Sequence, residues 1–279
     1  MNNLGAPSAP TVKILGLIAG NGAFPLLLAQ AAKKRGDQVI AVALKEEADP
    51  AIEKHADQLT WLSIGQLGKI IAFLKDHHVT HAVMAGQVKH TQLFKNIIPD
   101  LRAAKLLAKA VNKKAESLLS IVIREFEGEG IQFLPSTTYL EHWLCPAGLI
   151  TQRRPSQAEE ADIAFGLPLA RVISGQDIGQ TIVVKDKTVV AVEAMEGTDA
   201  CIRRAGEIAG PGCVVIKVAR PRQDLRFDIP VIGSRTLASL LAAGAKVLAL
   251  EAGTTLLLDK DALVKEADAA QLTITGLQI

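Results

Sequence analysis

Two periodicities alternate along the first half of the chain. Short apolar runs at Lys13–Ala19, Gln38–Leu44, Asp57–Ile64, His81–Ala85 and Ile131–Leu134 read as strands. Between them, apolar residues return every three or four positions, which predicts helices over Phe24–Arg35, Gln66–Asp76, Pro99–Val111 and Ala115–Glu127. Pro25 suits a first helical turn and Gly36 a helix end, while Leu67, Ile70, Ile71 and Leu74 form one stripe. Strands alternating with helices predict a doubly wound, Rossmann-like parallel sheet for residues 12–145.

At Pro146–Pro155 the composition turns polar and proline-bearing, which reads as a linker between domains. Residues 156–279 then read as a second α/β domain, catalytic in character and with a mixed sheet. It opens with a helix over Gln157–Ile173, interrupted at Gly166 and Pro168. Strands follow at Thr181–Lys185 and Thr188–Glu193, joined by a turn at Asp186-Lys187, and a helix starts after Gly197. Cys213–Ala219 is a nearly all-apolar strand. Helices at Ser234–Ala243 and Lys260–Ala269 alternate with strands at Lys246–Leu250, Thr255–Leu258 and Leu272–Thr275. The strand order of this half is not legible in the sequence.

Composition narrows the function classes. Of 279 residues 49% are hydrophobic and 22% charged, a globular balance, and the formal charge of +2 argues against broad nucleic-acid binding. Cys145, Cys201 and Cys213 have neither disulfide nor zinc spacing and read as buried cytosolic thiols. Residues 1–11 lack the basic and apolar regions of a signal peptide and read as a disordered extension. No run reaches the roughly 18 apolar residues of a membrane span, so the reading is a soluble protein or one held at a membrane surface. Arg102, Lys105, Lys109 and Lys113 give one helix a basic face, either solvated or laid against anionic lipid. His77, His78 and His81 read as a surface loop rather than a metal site.

Candidate chemistry lies in three places. Gly16–Pro25 follows the first strand and opens a helix, where a phosphate loop would sit, but Pro25 departs from the dinucleotide fingerprint. A phosphate group or a simple tight turn both fit it. In Glu193–Asp199, three carboxylates surround a glycine at a helix start; Thr198 as N-cap and Asp199 against the dipole is the structural alternative. In Asp224-x-Arg226-x-Asp228, read as extended, the charged residues share one face opposite Leu225, Phe227 and Ile229, and an exposed strand edge with local ion pairs is the structural alternative. Lys217 is the single charge in its apolar strand; if buried it needs an opposite charge or a hydrogen-bonding oxygen nearby, and the alternative is a strand-edge lysine reaching water. Oxygen ligands favour Mg2+ or Mn2+ over zinc.

Taken together, Leu15–Gly20 with Gly22, Asp177–Gln180, Val192–Asp199, Gln223–Gly233 and Glu251–Gly253 resemble the UDP-2,3-diacylglucosamine pyrophosphatases of the LpxI type. The blocks run in family order over nearly the whole chain after residue 12. The resemblance implies an enzyme of lipid A precursor synthesis at the cytoplasmic face of the inner membrane. It implies Mg2+-dependent hydrolysis of UDP-2,3-diacylglucosamine to UMP and 2,3-diacylglucosamine 1-phosphate, with substrate held between two domains. A homo-oligomer stays open. Two departures stand out: His90-Thr91 where the family has Arg-Pro, and Lys114-Ala115-Glu116 where it has Gly-Asp-Asp.

On this reading Asp228, helped by Glu196, Asp199 or Asp224, holds the metal. Arg226 and Lys217 contact phosphates, and Glu193 or Asp224 orients the attacking water. Gly20, Asn21, Gly22, Gly86, Lys89, Gly197, Thr198 and Gln223 bind substrate. The alternatives are a nonhydrolytic nucleotide-sugar or lipid-phosphate binding protein, a paralogous hydrolase, and, more distantly, an NAD-linked oxidoreductase.

Overall fold

Residues 13–45, 47–88, 98–110, 115–221 and 223–279 are described by the computed structural model. The extension at 1–11 and the positions Lys89, His90, Thr91, Lys113 and Lys114 fall outside them. The chain divides into two units. One runs to Leu140 and takes in Leu225–Phe227; the other holds Glu141–Asp224 and Asp228–Ile279.

The first unit is the expected parallel sheet. Strands β1 (Ile14–Ala19), β2 (Gln38–Leu44), β3 (Gln58–Leu62), β4 (His81–Ala85) and β5 (Gln132–Phe133) lie in the order β3-β2-β1-β4-β5, all parallel. Central strands of such a sheet are covered on both faces, which is why Val39–Leu44 is apolar and buried throughout. Helices α1 (Phe24–Lys34), α2 (Leu67–Asp76), α3 (Leu101–Ala110) and α4 (Ala115–Gly128) supply the cover. The stripe Leu67, Ile70, Ile71 and Leu74 of α2 is buried, as its spacing predicts.

Helix α3 turns one residue of its expected basic face inward. Arg102 is turned to α4, with Nε 3.1 Å from Glu125 and a second contact to Glu129. Lys105 is exposed, beside Leu101 and Leu107, and the Lys109 side chain lies outside what is described.

The second unit has a six-stranded mixed sheet. Its strands are β6 (Gly148–Leu149), β7 (Thr181–Lys185), β8 (Thr188–Val192), β9 (Val214–Lys217), β11 (Val247–Glu251) and β13 (Thr273–Leu277). Their order is β6-β13-β11-β9-β7-β8, with β9, β11 and β13 parallel and β7 antiparallel to both of its neighbours. A separate parallel pair joins β10 (Val231–Ile232) to β12 (Leu256–Leu257). Helix α5 (Gln157–Gly175) covers one face, over Val184, Val214 and Ile216. Helices α6 (Thr198–Ala209), α7 (Ser234–Ala242) and α8 (Lys260–Ala269) cover the other, over Val183, Val215 and Leu248.

Two local expectations need correcting here. Pro146–Pro155 is not a free linker. Its β6 pairs antiparallel with β13, and Thr151 Oγ1 accepts a 2.8 Å bond from Ile274 N. Arg153 donates to Thr273 Oγ1 at 2.6 Å and to both oxygens of Glu159. Nor is α5 broken at Gly166 and Pro168. A Cβ on Gly166 would sit 2.4 Å from Ile216 Cδ1, so glycine here permits close helix-on-sheet packing. The helix runs on through Pro168 to Gly175. The hairpin turn is as read, with Asp186 and Lys187 at φ 50° and 54°, the backbone a two-residue I′ turn requires.

Candidate active site

In the first unit, the loops after β1 and β4 meet at the switch point of the sheet. Gly20 N donates to Ala85 O, and Asn21 and Gln87 exchange backbone bonds of 2.8 and 3.1 Å. A Cβ on Gly20 would lie 2.7 Å from Gln87 O, and one on Gly86 (φ 88°) 2.6 Å from Asn21 O. Gly22 has open space around it but φ of 97°. Loop-on-loop packing thus explains Gly20 and Gly86, and backbone conformation explains Gly22. The expected substrate-binding residues Gly20, Asn21, Gly22 and Gly86 do gather at the carboxyl ends of β1 and β4, the crevice where open parallel sheets take ligands.

In the second unit, strand alternation builds a buried polar group. Val214 and Ile216 of β9 face α5, so Val215 and Lys217 face α6. Thr181 pairs with Lys217 across β7 and β9 and shares that face with Val183. Glu193, two residues after buried Ala191, ends β8 on the same side. The Lys217 ammonium donates to Thr198 Oγ1 at 2.8 Å and to Thr181 Oγ1 at 3.4 Å, with Glu193 Oε2 3.8 Å away. Thr198 Oγ1 donates in turn to Glu193 Oε1 at 2.9 Å, and Gln180 N reaches Glu193 Oε2 at 3.4 Å. A Cβ on Gly179 would fall 2.0 Å from Glu193 O, so only glycine lets this loop approach.

Lys217 is 5% exposed. Burial pulls its pKa below the ordinary 10.5, opposed by Glu193, Asp199 and Asp228 and assisted by Arg220. Residues of both acidic stretches, Glu193 and Asp199 from one and Asp228 from the other, thus act on the charge of Lys217. The ammonium itself is enclosed by Thr181, Thr198 and Glu193, so it sets the local field rather than offering a surface contact to a phosphate.

Several expected roles change. The segment 224–228 is not extended: Leu225–Phe227 forms a turn closed by Asp228 N donating to Asp224 O at 2.9 Å. Arg226 therefore leaves the face of Asp224 and Asp228. It pairs with Glu127 at 2.8 Å, Ser136 N and Oγ bond the carbonyls of Leu225 and Arg226, and Phe227 packs on the first unit's core. Thr198 is not the N-cap of α6; Gly197 is, at φ 83° and without a side-chain cap bond. Gln223 Oε1 accepts from Arg220 N at 2.9 Å, a loop-forming contact.

Among the described residues no group of three His, Cys, Asp or Glu side chains is placed to hold a metal. Of the expected ligands, Asp228 pairs with Arg220 at 2.7 Å, Asp199 accepts from Thr236 Oγ1 at 2.7 Å, and Glu196 pairs with Arg204 at 2.7 Å. Mg2+ is ordinarily held by one or two carboxylates together with substrate phosphates, not by an all-protein cage. The hard oxygens of Asp228 and Asp199, both acting on Lys217, suit that arrangement. Glu196 is directed to Arg204 and Ala194 N instead.

Arg220 was missed by the sequence reading. It follows β9 by three residues, with Nη1 2.7 Å from Asp228 Oδ2 and Nε 2.8 Å from Asp177 Oδ1, the latter a charge contact rather than an aligned hydrogen bond. Glu251, at the end of β11, accepts from Ala219 N at 2.8 Å and fixes the same loop.

The LpxI N-terminal domain matches residues 14–143 and the LpxI C-terminal domain residues 146–275. The chain belongs to the LpxI family. UDP-2,3-diacylglucosamine pyrophosphatase LpxI of Caulobacter vibrioides is 34% identical over 276 residues, covering 94% of this chain and 97% of that protein. Among solved structures, the biotin carboxylase domain of Hydrogenobacter thermophilus 2-oxoglutarate carboxylase overlaps at a TM-score of 0.28 with 15% identity, over 71% of this chain and 41% of that one. Campylobacter jejuni biotin carboxylase gives 0.25 and 16%, over 71% and 42%. Overlaps this low assign neither fold nor chemistry. Membership in the LpxI family rests on both halves of the chain, including the block 223–233 that contains Asp228.

Proposed function

We propose that this protein hydrolyses the pyrophosphate bond of UDP-2,3-diacylglucosamine, giving UMP and 2,3-diacylglucosamine 1-phosphate for lipid A synthesis. Support comes from family membership across both units, and from the gathering of Glu193, Asp199, Asp228, Lys217 and Arg220 at one end of the second sheet. The carrying observation is the relative's 34% identity over nearly the full length of both chains.

In this reading Asp228 and Asp199 hold Mg2+, which when bound neutralises charge on the phosphoryl oxygens. The first backbone N–H groups of α6, which lack intrahelical acceptors, face developing negative charge together with the positive dipole end. Lys217 fixes Thr198 and Glu193 from below and adds positive field. Orientation of the attacking water we assign to Asp224, four residues from Asp228 across the closed turn. The switch-point loops at Gly20–Gly22 and Gly86 take a ligand-binding role in the first unit.

Asp228→Ala should remain folded and lose turnover by at least about 100-fold, the scale of losing one preorganised electrostatic group. The measurement is release of UMP from UDP-2,3-diacylglucosamine with Mg2+. Near-native rates in the variant would remove Asp228 from the mechanism. A nonhydrolytic binding protein draws on one observation, that each expected ligand carboxylate has a partner within the chain. Tight binding with no UMP released by the native protein would favour it.

No helix among the described residues is long and apolar enough to cross a membrane. The reading includes peripheral attachment at the cytoplasmic face of the inner membrane, and α3 is the surface we assign to it. Leu101 and Leu107 are 74% and 47% exposed there, with Lys105 on the same helix and Ile98, 85% exposed, just before it. Leu101→Glu/Leu107→Glu should weaken co-sedimentation with vesicles containing anionic lipid; unchanged sedimentation would remove α3 from this role.

A further inference from the structure

Arg220 stands where a phosphohydrolase would need its acid unoccupied. Its Nη1 holds Asp228 Oδ2 at 2.7 Å, and Asp177 Oδ1 lies 2.8 Å from Nε on the other edge. Asp177 sits in the left-handed backbone region, at φ 59°, in the loop that runs on to Gly179 and β7. The Arg220 side chain is about one-third exposed, at 32%, and so are its partners, at 37% for Asp177 and 28% for Asp228. The arrangement is thus open to an incoming anion.

We propose that Arg220 is a substrate-released latch on Asp228: it occupies the carboxylate in the free protein and passes to the diphosphate when substrate arrives. The exchange rests on the hydrolase reading above. A guanidinium binds phosphate oxygens through a planar, two-pronged edge and gains from their higher charge. With Nε still held by Asp177, only the Nη edge has to be surrendered. A divalent cation arriving alone meets the opposite case. It must approach a carboxylate already neutralised by Arg220 and also within the field of the Lys217 ammonium. Cation and substrate are therefore expected to bind together rather than in sequence. Asp228 is kept from sequestering metal between turnovers.

The test is binding of Mn2+ alone, in the absence of substrate, followed by the electron paramagnetic resonance signal of the unbound ion. Arg220→Gln should bind Mn2+ about tenfold more tightly than the native protein, because one positive charge beside a divalent ion is removed. Arg220→Lys keeps the charge and should bind as weakly as the native protein. Adding Asp228→Asn to Arg220→Gln should abolish the gain. Equal affinity in native protein and Arg220→Gln overturns the latch, as does a gain that survives loss of Asp228 or is matched by Arg220→Lys. If UMP is released but Mn2+ affinity does not respond, the latch falls and the hydrolase stands. If affinity responds as expected with no UMP from the native protein, the hydrolase reading falls instead.

Discussion

Removing the Lys217 ammonium tests the polar group at the heart of the second unit. Lys217 and Glu193 side chains are 6% and 12% exposed and 3.8 Å apart. At that distance two unit charges interact by about 4 kcal/mol at an effective dielectric of 20. Taking away one member of so buried a pair leaves the other uncompensated and typically costs about 3–5 kcal/mol. Lys217→Met, similar in length and apolar, should therefore destabilise the second unit by about 3–4 kcal/mol, and Glu193→Gln by about 3 kcal/mol. Because both remove the same interaction, the double variant should recover about 3 kcal/mol of the sum. The chain has one tryptophan in each unit, Trp61 and Trp143. In a Trp61→Phe background, urea unfolding followed by Trp143 fluorescence reports on the second unit alone. A double variant that merely adds the two losses, to within about 0.5 kcal/mol, would show the pair to be energetically uncoupled and refute the reasoning.

Two further outcomes can be checked in the same way. In the first unit, Gly22→Ala should cost about 1 kcal/mol for its positive φ alone, while Gly86→Ala, which adds a 2.6 Å clash with Asn21 O, should cost clearly more; similar midpoints in urea would deny the close approach of the two loops. For Glu159, burial raises the pKa, but the Arg153 hydrogen bond and the Ser156 contacts outweigh it and hold it below the ordinary 4.5. Its stabilisation is therefore complete above about that value and is lost as pH falls through the lowered one. Arg153→Gln should be less stable than the native protein by about 1–3 kcal/mol at neutral pH, with the gap narrowing in acid. A gap independent of pH would assign the loss to Thr273 and the Lys246 carbonyl instead.

Elements whose signal is local were legible in the sequence. Strands β2, β4 and β7 and helix α8 begin and end where periodicity puts them, because their neighbours only complete a pattern already present. The need of Lys217 for a polar partner was legible too, since a lone charge buried in an apolar strand has to be answered. What the partner would be depended on register: Thr181 meets Lys217 only through β7–β9 pairing, which no local pattern encodes. The segment 224–228 was misread because alternating charge looks extended, whereas the turn is fixed by Ser136, ninety residues away, bonding the Arg226 carbonyl. Arg220 was passed over for a similar reason. Nothing near it in the sequence betrays that Asp177, far upstream, lies at its other edge.

The hydroxyl of Thr198 carries a single proton and is asked to receive from Lys217 while giving to Glu193. That polarity leaves little latitude for drift: serine preserves it, valine fills the space but severs both bonds, and exchanging either charged neighbour reverses the demand. Across descendants of this chain, the three positions should accordingly be retained or replaced as a set, and lineages with a mismatched trio should be hard to find.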